Sequence, residues 1–373
     1  MQTSVADPSA NLHGAAELTI NLGALKRNYC LMAARAGEAE CAAVVKADGY
    51  GLGIKPVFRA LREAGCTTFF VATLNEAITL RTLCKGSAVY YLNGLMHNET
   101  DICRTHSIRP TLNDPGQIER WATYCCAVGE ALPAAIHIDT GMSRLGLTPH
   151  EAKVLALAPQ RIKDFDFALL MSHLACADTP DHPLNARQRD QFEDTAASLP
   201  KARKSLAASS GVFLGPEWHF DMVRAGVSLY GVSPQENQTN PMEQVIKLKG
   251  TILQTRDVDT PQTGGYGAAH RFKRPTKVAT VATGYADGYP CSLGGKGVAY
   301  IGNRAVPLIG RVSMDLITLD IGNAHDAKPG DMVDLIGPHN DLDSVAALAG
   351  TTSYEFLTRL GKRHCRRYSE TAA

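Results

Sequence analysis

CAAVVKADGYGLGIKPVFRALREAGCTTFFVAT, residues 41–73, contains the repeating unit of the first half of the chain. It opens on an apolar run, CAAVVKA (41–47), passes through PVFRALREAG (56–65) and ends on a second apolar run, TTFFVAT (67–73). In PVFRALREAG the apolar Val57, Ala60 and Leu61 fall at i, i+3 and i+4, the spacing of an amphipathic helix with one buried face. Two strand-length runs joined by a helix are parallel strands with a crossover between them. Outward from this unit, apolar runs recur at AVYYLNG (88–94), IRPTLND (108–114), AAIHIDT (134–140), FALLMSHLA (167–175), SLAASSG (205–211) and HFDMVRAG (219–226). Helical stretches such as NEAITLRTLC (75–84), GQIERWATYCCAVGE (116–130) and NARQRDQFEDTAASL (185–199) lie between them. Eight such runs in about 200 residues suit an α/β fold with an N-terminal (β/α)8 TIM-type barrel better than an open sheet. One run is ambiguous, because the proline in IRPTLND allows an edge strand or a loop.

The texture changes at SPQENQTNP (233–241), a polar stretch with two prolines that reads as a domain boundary. We expect a barrel domain over 17–238 and a second domain over 239–373. In the latter, VIKLKGTILQ (245–254), KVATVATGYADGY (277–289), GVAYIGNRAVPLIGRVSMDLITLDIG (297–322) and GDMVDLIG (330–337) are short β-like runs separated by glycine. Closely spaced strands with tight turns predict a C-terminal, mostly antiparallel β domain. The first seventeen residues lack the basic start and apolar run of a secretory signal and read as a floppy leader.

Composition excludes several classes. The chain has 373 residues, with Lys+Arg 38 against Asp+Glu 37 and a formal net charge of +1. That balance argues against a nucleic-acid binder and against a polybasic membrane surface. No stretch approaches the roughly 18 apolar residues of a membrane span. The ten cysteines are scattered without a C-x-x-C pair, and the twelve histidines include no H-x-x-x-H. Buried, reduced thiols and no metal site are expected. A cytoplasmic location fits all of this.

Candidate chemistry sits where barrel strands end, since barrel active sites lie at the carboxyl face. Lys46 closes the first strand run and is followed by Gly49, Gly51 and Gly53. Desolvation there lowers a lysine's pKa and suits it to forming a Schiff base. Arg144 follows the strand in HIDTGMSRLG (137–146), and His173 ends the next run, in SHLACAD (172–178). AASSG (207–211) offers Ser209, Ser210 and backbone N–H groups to an anion, and FDMVRAGVSLYG (220–231) places Arg224 just before Gly226. Each residue alone has a bland reading as a solvated charge, a core histidine or a helix cap. Together, at successive strand ends, they point to one site.

With these residues in view, the chain from about residue 17 to Tyr368 resembles the alanine racemases. The most specific match is AVVKADGYGLG (43–53), with further matches at GGYGAAHRF (264–272), GYADGYP (284–290) and GRVSMDLITLD (310–320). The resemblance implies pyridoxal 5'-phosphate as cofactor, alanine as substrate, and a homodimer with shared active sites. It implies that Lys46 carries the cofactor and acts as one base, and that Tyr266, from the partner subunit, acts as the other. Arg224 would face the pyridine nitrogen, with His173 in a relay behind Tyr266. Tyr50, Ser210, the N–H groups of Gly226 and Val227, and Tyr354 would hold the phosphate. Arg144 would lie near the phenolic oxygen and the substrate carboxylate, Met314 would offer its backbone N–H to that carboxylate, and Tyr285 would stand at the entrance. The family often has a carbamylated lysine seven residues before this arginine, where His137 stands here. We therefore expect Arg144 to be balanced by a bound chloride or by a carboxylate such as Asp139. Three neighbouring readings are weighed against this one. A fold-related decarboxylase should have a cysteine where Ser313, Met314 and Asp315 stand, and a non-catalytic cofactor carrier should lack the second domain. A racemase of broader range, acting on serine for example, is a third.

Overall fold

The computed structural model describes residues 16–84 and 86–371; most of the expected leader lies outside them. The chain enters through β1 (Ala16–Asn21) and turns at once into a helix, Leu22–Ala36. Asn21 caps that helix, its side chain accepting from the Ala24 N–H at 2.9 Å, which satisfies one of the orphan donors of the first turn. Eight parallel strands follow: β2 (Glu40–Val44), β3 (Thr68–Val71), β4 (Ala88–Tyr91), β5 (Arg109–Leu112), β6 (Pro133–His137), β7 (Asp166–Met171), β8 (Arg203–Ser205) and β9 (Met222–Ala225). Their order is β8-β7-β6-β5-β4-β3-β2-β9. A parallel bridge between Ala208 and Arg224 closes the sheet into the expected barrel. The ambiguous IRPTLND run is a barrel strand after all. Pro110 pairs with Tyr91 on one side while Thr111 pairs with Ala135 on the other, so β5 has two neighbours.

Strand parity decides what faces the barrel axis. Ala42, Val44, Phe70, Tyr90, Ala135, Leu169, Met171 and Met222 form one cluster inside the barrel, where the Phe70 and Tyr90 rings stack at 4.9 Å. Their neighbours Ala43, Phe69, Val89 and Tyr91 belong to the larger core under the helices. Helix Ile54–Glu63 shows why those helices hold. It buries Ile54, Val57, Phe58, Ala60 and Leu61 on one stripe, and each large side chain so buried contributes about 2 kcal/mol.

The second sheet is built around a long strand, β10 (Ile246–Val258). After the short hairpin of β11 (Thr263–Gly264) and β12 (His270–Arg271) come β13 (Thr276–Ala282), β14 (Val298–Ile301), β15 (Arg304–Ile309), β16 (Leu316–Asp320), β17 (Met332–Ile336) and β18 (Cys365–Ser369). The order is β13-β16-β15-β14-β17-β10-β1-β18, and β10 pairs with β13 as well, so part of the sheet closes on itself. All pairs are antiparallel except β1 with β18. β1 thus leaves the barrel side of the chain to join the second domain. Two helices there, Leu342–Ala349 and Ser353–Arg359, were not expected. Among the described residues no helix is long and apolar enough to cross a membrane, and no group of three or more His, Cys, Asp or Glu could hold a metal ion.

Candidate active site

Continuing the interior parity past the strand ends gives the side chains of the barrel mouth. Ala42 and Val44 lead to Lys46, Ala135 to His137, Leu169 and Met171 to His173, and Met222 to Arg224. All four charged or titratable residues line one cavity of about 1190 Å³. Tyr50, Arg144, Ser210, Gly226, Val227 and Tyr354 line it too. Burial, helped by Arg144, holds the Lys46 pKa below the usual lysine value, while Glu76 opposes the shift. The amine form needed for attack on an aldehyde is thereby favoured.

The backbone after Lys46 is unusual. Ala47, Asp48, Gly49 and Tyr50 have φ of 53°, 56°, 65° and 53°, a left-handed turn that costs about 1–2 kcal/mol at each residue bearing a side chain. Bonds from both domains hold it. Glu76 Oε1 accepts the Ala47 N–H at 2.7 Å. From the second domain, Arg366 donates to Gly51 O at 2.7 Å and Tyr368 donates to Leu52 O at 2.9 Å. Gly51 is needed for close approach as well as for its φ of 80°, because a Cβ there would lie 2.5 Å from Leu357 O. The turn points the Tyr50 ring into the cavity, 4.5 Å from Tyr230 centre to centre.

Arg224 is buried and its end groups are committed. Nη1 donates to Ser205 O at 2.9 Å and to Ser205 Oγ at 2.6 Å; Nη2 donates to Ser172 O at 2.5 Å and to Leu206 O at 3.3 Å. Nη2 also lies 3.3 Å from His173 Nδ1. An arginine can only donate, so Nδ1 is the acceptor and the His173 proton is on Nε2. Burial and Arg224 hold His173 well below the ordinary histidine value, and burial lowers Arg224 to about 10, still cationic at neutral pH. Ser209, which the sequence offered to an anion, is buried and accepts from the N–H groups of Gly226 at 2.8 Å and Ser228 at 3.3 Å. Of the two amides expected at the phosphate, only that of Val227 is left unengaged by Ser209.

The expected carboxylate partner for Arg144 is not there. Asp139 instead accepts the N–H groups of Gly141, Met142 and Ser143 at 2.9 to 3.1 Å, which shapes the turn leading to the arginine. Among the described residues Arg144 forms no ion pair, and it is exposed on the single chain. His137 is buried. Its Nδ1 lies 2.9 Å from Asn113 Oδ1, while Asn113 Nδ2 donates to Leu92 O and Thr111 O. The amide orientation makes Oδ1 an acceptor, so Nδ1 carries the proton and Nε2 keeps its lone pair. Burial, reinforced by Arg224, lowers the His137 pKa to about 4, so the ring is neutral.

Three expected site residues lie elsewhere. Tyr266 tops the β11–β12 hairpin at 71% exposure, and Tyr285 and Met314 are 46% and 53% exposed. The last two are neighbours. Tyr285 N–H donates to Ser313 O and Ala286 N–H to Met314 O, both at 3.0 Å, and a Cβ on Gly284 would lie 2.3 Å from Met314 O. None of the three lines the cavity of its own chain. The residues that sequence reasoning missed are braces: Glu76, Asn113, Ser205, and Asp343. Asp343 gathers the Ser233 N–H at 2.9 Å, the Asn240 amide and the Ser353 hydroxyl beside Tyr354. Only Glu76 carried a local signal, the T-x-x-E spacing of a capping box with Thr73.

These residues fit a phosphorylated pyridine aldehyde. Gly226 leaves a cradle, since a Cβ there would lie 2.9 Å from Tyr50 Oη. With both terminal nitrogens of Arg224 engaged, Nε–H remains for a ring acceptor. A barrel with a low-pKa lysine at its mouth and a β domain behind it defines the class of barrel-type pyridoxal-phosphate enzymes. The chain belongs to the alanine racemase family: residues 20–234 match the model of its N-terminal domain and residues 245–368 that of its C-terminal domain. It is 48% identical over 355 residues to the alanine racemase of Rhodospirillum rubrum, covering 94% of this chain and 95% of that protein. It is 43% identical to a catabolic alanine racemase of Agrobacterium fabrum, covering 94% and 91%. The crystal structure of the Bartonella henselae alanine racemase, which has covalently bound pyridoxal phosphate, superposes with a TM-score of 0.91 at 39% identity, covering 95% of this chain and 99% of that one.

Proposed function

We propose that this chain interconverts L-alanine and D-alanine as a homodimer with pyridoxal 5'-phosphate, Lys46 and Tyr266 of the partner subunit being the two bases. The observation that carries it is a split. The barrel mouth gathers Lys46, Tyr50, Arg144, His173, Ser210, Arg224, Gly226, Val227 and Tyr354 in one cavity, while Tyr266, Tyr285 and Met314 stand exposed on the second domain. A second copy that laid this exposed group over the cavity would supply a base on the face opposite Lys46.

Bound pyridoxal phosphate supplies the electron sink that makes the α-proton of an amino acid removable. Lys46 Nζ holds and returns that proton on one face, and the Tyr266 phenol of the partner subunit does so on the other. His173, whose Nδ1 faces Arg224, presents Nε2–H where it can stabilise a phenolate. Arg224 keeps its proton, so the group it binds stays unprotonated and the sink weak, which restrains transamination and decarboxylation. Tyr50, Ser210, Tyr354 and the Val227 N–H hold the phosphate. Arg144 and the Met314 N–H of the partner subunit orient the carboxylate, with Tyr285 at the entrance. Incubation of the purified protein and cofactor with L-alanine, followed by chiral chromatography, should give D-alanine up to an even mixture. Release of carbon dioxide and an amine instead would reject the proposal.

A further inference from the structure

One carboxylate collects backbone N–H groups from two different strand exits. Glu76 Oε1 accepts from Ala47 at 2.7 Å, and Oε2 accepts from Ala72 at 2.8 Å and Thr73 at 3.1 Å. The helix that Glu76 helps to cap needs only the bond to Thr73. The Ala47 bond serves something else. It is made by the residue after Lys46, at the first position of the left-handed turn. Side-chain-bearing residues leave that region unless contacts hold them there. At the far end, Arg366 and Tyr368 grip Gly51 and Leu52. Inside the turn, Gly49 N–H reaches Val45 O at 3.0 Å and Gly51 N–H reaches Ala47 O at 2.7 Å. Among the described contacts, Glu76 is the side chain that holds the near end, where the chain leaves β2.

Taking Lys46 as the cofactor lysine, as proposed above, we infer that Glu76 is a positioning residue of the active site: by bracing this turn it fixes the places of Lys46 and Tyr50 relative to each other. Both oxygens must accept. A glutamine has one acceptor, and its NH2 group would oppose N–H donors on one side; an aspartate is one methylene too short to bridge the two strand exits. The carboxylate also acts on Lys46 through its charge, against the lowering caused by burial and Arg144. Other titratable groups lining the same cavity include neutral His137 and His173, un-ionised Tyr50 and Tyr230, and cationic Arg224.

The test compares full-length wild type, Glu76→Ala, Glu76→Gln and Thr73→Ala, each stripped of cofactor and titrated with pyridoxal phosphate. Bound cofactor is fixed by borohydride and mapped to its lysine. Glu76→Ala should weaken cofactor binding roughly tenfold, and Glu76→Gln less. Thr73→Ala, which removes the other half of the capping box, should stay within about twofold of wild type. The pH midpoint of cofactor capture should fall in Glu76→Gln, because an anion that favours protonated Lys46 is gone; a purely structural role would not move it. Amide exchange over residues 46–53 of the cofactor-free protein should quicken in Glu76→Ala and not in Thr73→Ala. If Glu76→Ala does not fold, Glu76→Gln carries the comparison. Wild-type cofactor binding and exchange in the Glu76 variants, or an equal loss in Thr73→Ala, overturns the inference. Cofactor mapping to another lysine in wild type would instead reject the Lys46 reading, while the exchange rates still judge the brace.

Discussion

The barrel mouth and the β11–β12 face of the second domain carry the two halves of one proposed site, and they are built in opposite ways. In the mouth the deepest groups are buried and held from several sides, as with Arg224 and its bonds to Ser205, Ser172 and Leu206. On the second domain the groups are exposed side chains on tight backbone supports, as with Tyr285 and Met314. A preorganised half and a presented half are what a shared site requires, because the presented half gets its surroundings from another chain.

The comparison breaks most sharply at Lys46. Lys46→Ala should abolish reducible cofactor attachment and lower racemisation by about 10³-fold or more; a reducible linkage surviving elsewhere in that variant would show that the mouth is not the reacting half. Next in size is complementation. Lys46→Ala and Tyr266→Phe, each inactive alone, should regain activity after subunit exchange, up to about half the sites in mixed dimers. Heterodimers shown to form without recovery would mean that each chain uses its own Tyr266. A smaller effect is expected within the mouth. Gly226→Ala puts a methyl 2.9 Å from Tyr50 Oη, and with the Tyr50 ring held against Tyr230 this should weaken cofactor binding about tenfold, read by absorbance titration. The smallest concerns acid. His137, His173 and His364 all have folded pKa values below the ordinary 6.5. Their contribution to stability is therefore present above about pH 6.5 and is lost as the pH falls toward 4, because the unfolded chain binds the protons first. The melting temperature should drop from about pH 7 to about pH 5, and His137→Gln should make the drop shallower; an unchanged slope would mean that His137 is not held neutral.

Much of the barrel could be read from the sequence because its signal is local. Most apolar runs became a strand or led into one; the exception is SLAASSG (205–211), which meets β8 (Arg203–Ser205) only at Ser205 and continues past it. The proline of β5 misled because the rule against central prolines weighs one lost donor, whereas short strands paired on both sides tolerate it. The helices Leu342–Ala349 and Ser353–Arg359 had legible caps in Asp341, Gly350 and Thr352, but at 8 and 7 residues they are too short for their periodicity to stand out. The mouth residues were accessible for a second reason, since interior parity carries Val44 to Lys46 and Met171 to His173. Glu76 was only half legible. Its helix cap is a local pattern, but its bond to Ala47 joins residues 29 apart, which no window of the sequence displays. For Tyr266, Tyr285 and Met314, nothing in strand or helix periodicity marked them; only the family resemblance did.

β1 has a consequence for how the chain is born. It lies between β10 and β18, pairing Ile20 with Ile246 and Glu17 with Cys365, so on the ribosome it emerges before the barrel and its partners emerge after. At about 5–20 residues per second, the barrel between them takes roughly ten seconds or more to translate. During that time β1 has neither of its partners, and a strand segment with two open edges is an aggregation hazard. Its composition answers the hazard. Glu17, Thr19 and Asn21 alternate with Leu18 and Ile20, and Glu17 and Thr19 later meet Lys249 and Lys247 across β10. The same charge that discourages wrong neighbours while the strand waits marks the right one when it arrives.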